Sequence, residues 1–182
     1  MRVVIPILFC LIITGCNNNK RKRNAFKNFD FSFNNTFSDC FSMKFTLGDT
    51  VYIKQHFAFA LSDSLKSGKS YYALIKSSEK YLLDSFLFKT DFKNLDSVYY
   101  ESYTDGEAYA FFIENDSVNK RIYVHSHSIP ISLKEFGFWI IGLKNSLVYF
   151  PIDTVINFGS ARNFLLPKIE PPPLILKIPK IE

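Results

Sequence analysis

The chain has 182 residues, of which 47% are hydrophobic, enough to build one domain with an apolar core of its own. Its formal charge of +5 comes from 22 basic and 17 acidic residues, but six basic residues precede residue 28, which leaves 16 basic against 17 acidic residues downstream. The part that folds is therefore close to neutral. This balance argues against nucleic acid as a partner.

The N-terminus is an apolar run behind one basic residue. Arg2 precedes the apolar residues 3–13, and two small residues then lead to Cys16. The 11 residues of this run are too few to span a bilayer as a helix, which needs roughly 20. The pattern is typical of a signal peptide over residues 1–15 that is removed after export.

The residues Ile13-Thr14-Gly15-Cys16 resemble the lipobox of bacterial lipoproteins. In that family the cysteine thiol is acylated and the signal peptide is cut just before it. The resemblance implies that Cys16 carries a lipid anchor in the cell envelope. Two or three acyl chains attach a protein stably to a membrane, because each buried methylene contributes about 0.8 kcal/mol. The alternative is a secretory signal that contains a cysteine by chance.

A polar, basic segment follows over residues 16–35 and is predicted to be a tether. Its basic side chains lie at residues 20–23 and at Lys27. Cations beside a lipid anchor are attracted to anionic headgroups at about 1 kcal/mol each, although a linker that only aids solubility is an equal alternative. In such lipoproteins the residue after the acylated cysteine decides the sorting, and Asn17 at this position, in place of aspartate, favours transfer to the outer membrane. No acidic residue follows Cys16 directly, which favours the periplasmic side.

Cysteine use agrees with this interpretation. Cys10 leaves with the signal peptide and Cys16 is acylated, so Cys40 is the only free thiol of the mature chain. No disulfide can then form within the chain. No histidine or family signature accompanies Cys40, which favours a buried apolar role over that of a nucleophile.

Short apolar segments predict strands along the rest of the chain. Gly48-Asp49 joins the first two segments as a hairpin, and residues 115–119 join another pair. The predicted strands are residues 43–47, 51–59, 71–75, 108–113, 121–125, 147–150 and 154–158.

Two helices are predicted between these strands. The first begins at a cap on Ser77 or Ser78 and ends at Lys89, and in the second Ser132 and Glu135 have capping-box spacing. Their apolar faces consist of Leu82, Leu83, Phe86 and Leu87 in the first helix and Leu133, Phe136, Ile140 and Leu143 in the second.

The predicted fold class is α+β, an antiparallel sheet with two helices packed on one face. We expect a single domain over residues 36–160, followed by a Pro-rich tail over residues 161–182. From residue 69 onward the order β-α-β-β-α-β permits a ferredoxin-like arrangement. The tail is too apolar for a solvated linker, so it is expected to fold back on the sheet or to add a strand to a partner.

Tyrosines form a candidate binding surface. Adjacent strand residues face opposite ways, so one residue of Tyr71-Tyr72 and one of Tyr99-Tyr100 should be exposed, together with Tyr103. A strip of exposed tyrosines would suit a protein or glycan partner, because tyrosine offers a rigid apolar area with a polar tip. A Phe- and Tyr-rich core is the alternative.

His125 and His127 are the candidate metal ligands, because residues two apart on a strand point to the same face. A third ligand is needed, and His56, Asp105 and Glu107 are the candidates. The alternative is structural, since polar residues are expected anyway at the end of a strand just before a helix that begins at a proline. No cofactor is predicted, because the 7 glycines do not form a phosphate-binding loop or a dinucleotide fingerprint.

A tripeptide of Asp, then Ser or Thr, then an aliphatic residue occurs five times. The pattern resembles the O-glycosylation acceptor signature of envelope proteins in Bacteroidetes-type bacteria. The resemblance implies glycans on Thr50, Ser64, Ser97, Ser117 and Thr154. The alternative is structural, since Asp and Ser leave turns while β-branched residues enter strands.

Taken together, these patterns favour a membrane-anchored lipoprotein of the envelope that binds or scaffolds a partner without catalysis. The tail and the tyrosine strip are its candidate contact surfaces. A metal-dependent enzyme using His125 and His127 is the alternative.

Overall fold

The protein is built around one large sheet. The computed structural model describes residues 26–35, 39–58, 68–103 and 106–162. These residues form an eight-stranded, mostly antiparallel open sheet and two helices, so the predicted α+β class is confirmed.

The described residues contain eight strands and two helices, numbered here in chain order. The strands are β1 (Asn28–Asn35), β2 (Asp39–Phe45), β3 (Thr50–Ala58), β4 (Ser70–Leu74), β5 (Val98–Tyr100), β6 (Glu107–Glu114), β7 (Asn119–His125) and β8 (Phe150–Ile152). The helices are α1 (Ser77–Lys89) and α2 (Ile131–Ser146).

The strand order across the sheet is β5-β7-β6-β1-β2-β3-β4-β8. Strand β5 runs parallel to β7, whereas the other neighbouring pairs of described strands are antiparallel. The hairpins β2–β3 and β6–β7 form at the two predicted turns. The predicted strand at 154–158 does not form, and that segment crosses the sheet as irregular chain.

Strand β1 corrects the predicted boundary between tether and domain. Residues 28–35 were expected to belong to the tether, but they form a central strand that pairs with β2 on one side and with β6 on the other. Phe29, Phe31 and Phe33 alternate along it and are buried. This spacing of two places all three rings on one face of the sheet, where they contribute to the core.

Both helices pack on that same face and share an aromatic core. The ring of Phe136 in α2 stacks on Phe29 of β1 at 5.3 Å and on Phe86 of α1 at 5.1 Å, and it contacts Phe111 of β6 at 5.5 Å. Burying one such side chain contributes about 1.5–3 kcal/mol. Phe136 therefore joins both helices to the centre of the sheet.

The helix ends differ from those predicted. The residue that caps α1 is Lys76, whose N–H donates to Glu79 at 2.6 Å, so neither Ser77 nor Ser78 is the cap. Pro130 precedes α2 and no side chain caps it, which makes the predicted capping box at Ser132 wrong.

The apolar faces of both helices were predicted almost completely. Leu83 and Leu87 of α1 are buried and Phe86 packs half-buried against the core, while all four predicted residues of α2 are buried. The exception is Leu82, which is exposed because the apolar stripe of α1 is narrower than the sequence pattern indicates.

The second half of the chain does not form a ferredoxin-like unit. Strands β4 and β8 are neighbours, as that arrangement requires, but β1, β2 and β3 separate them from β6 and β7. The four strands therefore cannot form a sheet of their own. The N-terminal strands occupy the middle of the sheet because β1 pairs with β6 along its whole length.

Several predictions fall on positions outside the described residues. These are the signal peptide at 1–15, the acylated Cys16, Ser64, Asp105, and the tail beyond residue 162. Helices α1 and α2, with 13 and 16 residues, are each shorter than a bilayer span, so no described helix could cross a membrane.

Candidate functional site

His125 and His127 lie where β7 ends, beside the edge strand β5. The ring of Tyr103 lies against both imidazoles, with centroids 4.0 Å from His125 and 4.7 Å from His127. The Nε2 atom of His125 is 3.2 Å from the carbonyl oxygen of Tyr103. The two rings therefore have a tyrosine as their common neighbour.

Glu101 holds the loop that contains His127. Its carboxylate accepts hydrogen bonds from Ser126 Oγ at 2.8 Å, from the His127 N–H at 3.3 Å and from the Ser128 N–H at 3.2 Å, and His127 Nδ1 lies 3.1 Å away. The hydroxyl of Ser126 and the donors of His127 lower the pKa of Glu101 to about 2. The carboxylate stays ionised at neutral pH and fixes the chain after β7.

The predicted third ligands that the structure describes are not found beside the two histidines, and the nearby Glu101 carboxylate already accepts hydrogen bonds from the chain after β7. His56 is on β3, four strands from β7 and thus about 19 Å away across the sheet. Glu107 accepts a hydrogen bond from Asn35 at 3.3 Å, and Asp105 lies outside the described residues. Among the described side chains no group of three or more His, Cys, Asp or Glu could hold a metal ion.

The tyrosines do not form one strip. As predicted, the neighbours in each pair face opposite ways: Tyr71 is buried while Tyr72 is half-buried, and Tyr99 is half-buried while Tyr100 is exposed. Tyr72 belongs to β4 and Tyr100 to β5, however, and these strands are separated by about 29 Å across the sheet. Each tyrosine instead has a local ring contact: Tyr72 stacks on Phe150 at 5.3 Å, and Tyr100 lies tilted against His125 at 5.6 Å.

The predicted glycosylation acceptors lie mostly at the surface. Ser97 precedes β5, Ser117 lies in the β6–β7 turn and Thr154 follows β8, and all three are exposed. Thr50 starts β3 and is half-buried. Three of these four tripeptides also enter a strand, as the structural alternative expects, so glycosylation remains a prediction.

The sheet face opposite the helices carries a chain of buried hydrogen bonds, which we call the polar row. Its members are Asp30, Ser160, Ser32, Ser42 and His56. Ser160 Oγ donates to Asp30, Ser32 Oγ lies 2.8 Å from Ser160 Oγ and 2.6 Å from Ser42 Oγ, and Ser42 Oγ lies 2.9 Å from His56 Nε2. The row ties β1, β2 and β3 to the segment at 157–162.

Burial dominates the electrostatics of the polar row. It raises the pKa of Asp30, against hydrogen bonds from Ser160 and Gly159, and it lowers the pKa of His56. It also raises the pKa of the neighbouring Cys40 thiol to about 12. Asp30, Ser32, Ser42 and Ser160 are almost completely buried, so a substrate cannot reach these four members of the row, and their hydrogen bonds hold the fold.

A cleft of about 730 Å³ opens between the second half of α1 and one end of the sheet. The sheet contributes the start of β1, the β2–β3 turn and the β6–β7 turn. We call this the α1 cleft. Its apolar lining consists of Phe26, Leu47, Leu83, Leu87, Phe88, Phe92, Ile113 and Val118.

Polar groups lie at the rim of the α1 cleft, and one lies inside it. At the rim, Lys80 Nζ donates to the carbonyl oxygens of Leu47 and Gly48, while Lys93 is exposed. Thr90 lines the cleft and is only 2% exposed, and its Oγ1 atom is buried without a hydrogen-bond partner. A buried hydroxyl without a partner costs about 1–3 kcal/mol, which a polar group of a ligand could offset.

Sequence patterns do not predict the α1 cleft, because its lining comes from separate segments between Phe26 and Val118. The exposed Phe88, outside the predicted apolar face of α1, is the one local signal. Comparison with protein-family models, with curated proteins and with solved structures yields no match. The cleft is therefore interpreted from its own residues.

Proposed function

We propose that this protein is a lipid-anchored lipoprotein of the bacterial envelope that binds an apolar or amphiphilic ligand in the α1 cleft. The observation that carries the proposal is a cleft of about 730 Å³ with eight apolar side chains and the buried, unpartnered hydroxyl of Thr90. Small-ligand sites typically have volumes of about 300–1,000 Å³ and a mostly apolar lining with a few polar groups.

The position of the cleft relative to the proposed anchor supports an amphiphile. Phe26 lines the cleft, and Cys16 lies 10 residues earlier in the chain. Ten extended residues span at most about 36 Å, so an anchor on Cys16 keeps the cleft within that distance of the membrane surface. Molecules with acyl chains are concentrated there.

The lining also indicates how such a ligand would lie. The exposed apolar side chains of Leu47 and Phe88 would contact its hydrocarbon part, and the Thr90 hydroxyl would bond a polar group at its end. Lys93 adds a cation to a lining that also contains the carboxylates of Asp84 and Asp91, so the charged groups of the cleft have both signs. The protein would in this way present or carry the ligand without changing it chemically.

Fluorescence titration tests the proposal, with N-phenyl-1-naphthylamine as probe and palmitate as competitor. Phe88 lines the cleft and is 90% exposed, so Phe88→Glu leaves the core intact but puts a charge at the cleft. We expect it to weaken probe binding at least tenfold. Tyr81→Glu is the matched control, because Tyr81 lies on α1, is 74% exposed and is not part of the lining. No probe binding by the unmodified protein, or equal binding by both variants, would contradict the proposal.

The anchor is tested separately by growing cells with an alkyne analogue of palmitate. We expect the label on the unmodified chain and none on Cys16→Ala, which should also leave the membrane fraction. Equal labelling of both chains would disprove the anchor on Cys16. The cleft would then stay a proposed binding site, but its distance from a membrane would no longer be argued.

A further inference from the structure

A second pocket, of about 560 Å³, lies on the sheet face opposite the helices. Arg121 of β7 and Phe112 of β6 line it from the sheet, and the segment at 157–162 closes one side. Its polar side chains are two guanidinium groups and two amides. We call it the arginine pocket, formed by Arg121, Arg162, Asn119 and Asn157.

Arg121 lacks an anionic partner. Its Nε donates to the carbonyl oxygen of Ser160 at 3.0 Å, but its Nη2 atom is buried and makes no hydrogen bond. Within the described part of the chain, no carboxylate lies within 4.0 Å of Arg121 or Arg162. Asp30 attracts Arg121, yet its oxygens already accept from the N–H groups of Gly159 at 3.0 Å and Ser160 at 2.7 Å, and from Ser160 Oγ.

A partly buried guanidinium with an unsatisfied Nη2 is unfavourable, because that donor has lost hydration that no hydrogen bond replaces. Burial lowers the pKa of Arg121 accordingly. Arginine also has a planar fork of N–H donors that matches the oxygens of phosphate and sulfate. The amides of Asn119 and Asn157 add neutral donors at the same pocket.

The segment at 157–162, which carries Arg162, is held in place by contacts within the protein. A Cβ atom on Gly159 would lie 2.5 Å from the Phe112 ring, so the backbone rests directly on that ring. Lys44 Nζ donates to the carbonyl oxygen of Asn157 at 3.2 Å, and Ser160 is held by the polar row. Because this segment is already held in place, less conformational entropy is lost on binding, which favours affinity.

We propose that the arginine pocket binds a phosphate or sulfate group. Arg121 provides the half-buried cation, Arg162 the exposed one, and the two asparagine amides complete the contacts. The site is on the opposite face of the sheet from the α1 cleft, so it is independent of the proposed ligand there.

Isothermal titration of the full chain with inorganic phosphate, and separately with sulfate, at constant ionic strength tests this proposal. We expect binding that Arg121→Gln and Arg162→Gln each weaken at least tenfold, or about 1.4 kcal/mol. Lys134→Gln is the control for charge, because Lys134 is exposed on α2. No heat of binding, or equal affinity in all four proteins, would overturn the proposal. Arg162 is exposed, so its variant stays informative if Arg121→Gln fails to fold.

Vesicle flotation distinguishes a free anion from a lipid headgroup. The Cys16→Ala chain is mixed with vesicles of phosphatidylglycerol or of phosphatidylcholine. Arg162→Gln and Lys134→Gln carry the same net charge, so weaker flotation of Arg162→Gln alone on phosphatidylglycerol would identify a lipid phosphate. Binding of inorganic phosphate without this difference would identify a soluble anion.

Discussion

The two faces of β1 are equally buried but are stabilised by different forces. Towards the helices, Phe29 and Phe31 pack among other aromatic rings. Towards the opposite side, Asp30 is only 1% exposed and Ser32 is equally buried, and both are held by hydrogen bonds of the polar row. Burial alone therefore does not show which force holds a strand in place.

The difference between the faces also separates the two proposed sites. The aromatic face leads into the α1 cleft, which apolar side chains line at the end of the sheet. The polar face carries the arginine pocket, where a guanidinium is left without an anion. Each site thus has the chemistry of the face on which it lies.

The largest effect is expected on the aromatic face. Phe136→Ala should lower the free energy of unfolding by about 3–5 kcal/mol, because the ring contacts both helices and the sheet. Urea unfolding measures the loss. Phe138→Ala on the same helix is the control, since Phe138 is 51% exposed and should change stability by less than about 1 kcal/mol. Equal losses in both variants would contradict an aromatic core centred on Phe136.

The polar face should respond less strongly to a single substitution. Ser160→Ala removes the hydroxyl that contacts Asp30 and Ser32, and we expect a loss of about 1–3 kcal/mol in the same assay. Ser117→Ala replaces an exposed serine in the β6–β7 turn and serves as control. A loss as large as that of Phe136→Ala would show that hydrogen bonds contribute as much as packing.

Cys40 should show a smaller effect, because it lies on the polar face without being a link of the row. Cys40→Ala removes one buried sulfur and is expected to cost about 1 kcal/mol. In a chain with Cys10→Ser and Cys16→Ser, the thiol should react with a disulfide reagent only in urea, since burial raises its pKa to about 12. Rapid reaction in the folded state would show that this face is open.

The smallest expected effect is a change in how the free energy of unfolding depends on pH. Burial raises the pKa of Asp30, so the folded state holds the proton more tightly than the unfolded state does. The stabilisation that protonated Asp30 gives the folded state is fully present below the ordinary carboxyl pKa of about 4. It is lost as the pH rises through the raised pKa of the folded state. Urea unfolding from pH 3 to 7 should show this decrease in the unmodified chain and not in Asp30→Asn. Parallel curves for the two proteins would argue against a raised pKa.

Local sequence patterns predict the elements whose signals lie within a few residues. Gly48-Asp49 marks the β2–β3 turn, and the stripe that includes Phe136 defines the buried side of α2. Strand β1 escaped prediction because its polar positions next to a basic segment indicate a solvated tether. Asp30 can be buried because Gly159 and Ser160, 129 and 130 residues later, supply its donors, and no local pattern contains those contacts.

The same limit applies to the sites. His125 and His127 are close in sequence, and the structure gives them a common neighbour in Tyr103. The cleft and the arginine pocket are assembled from distant segments, so neither has a motif. Arg121 and Arg162 are separated by 41 positions and meet only because irregular chain returns across the sheet after β8.

The central position of β1 also has a consequence for how the chain folds. Its first neighbour, β2, follows after a short connection, but its second neighbour, β6, supplies partners 72 to 86 positions away, as in the Asn35 and Asn28 contacts. Non-local pairing of this kind slows folding, since much of the chain must be ordered before the contact forms. During synthesis one edge of β1 stays open until β6 has emerged, and β1 can meanwhile pair with the strand of another molecule.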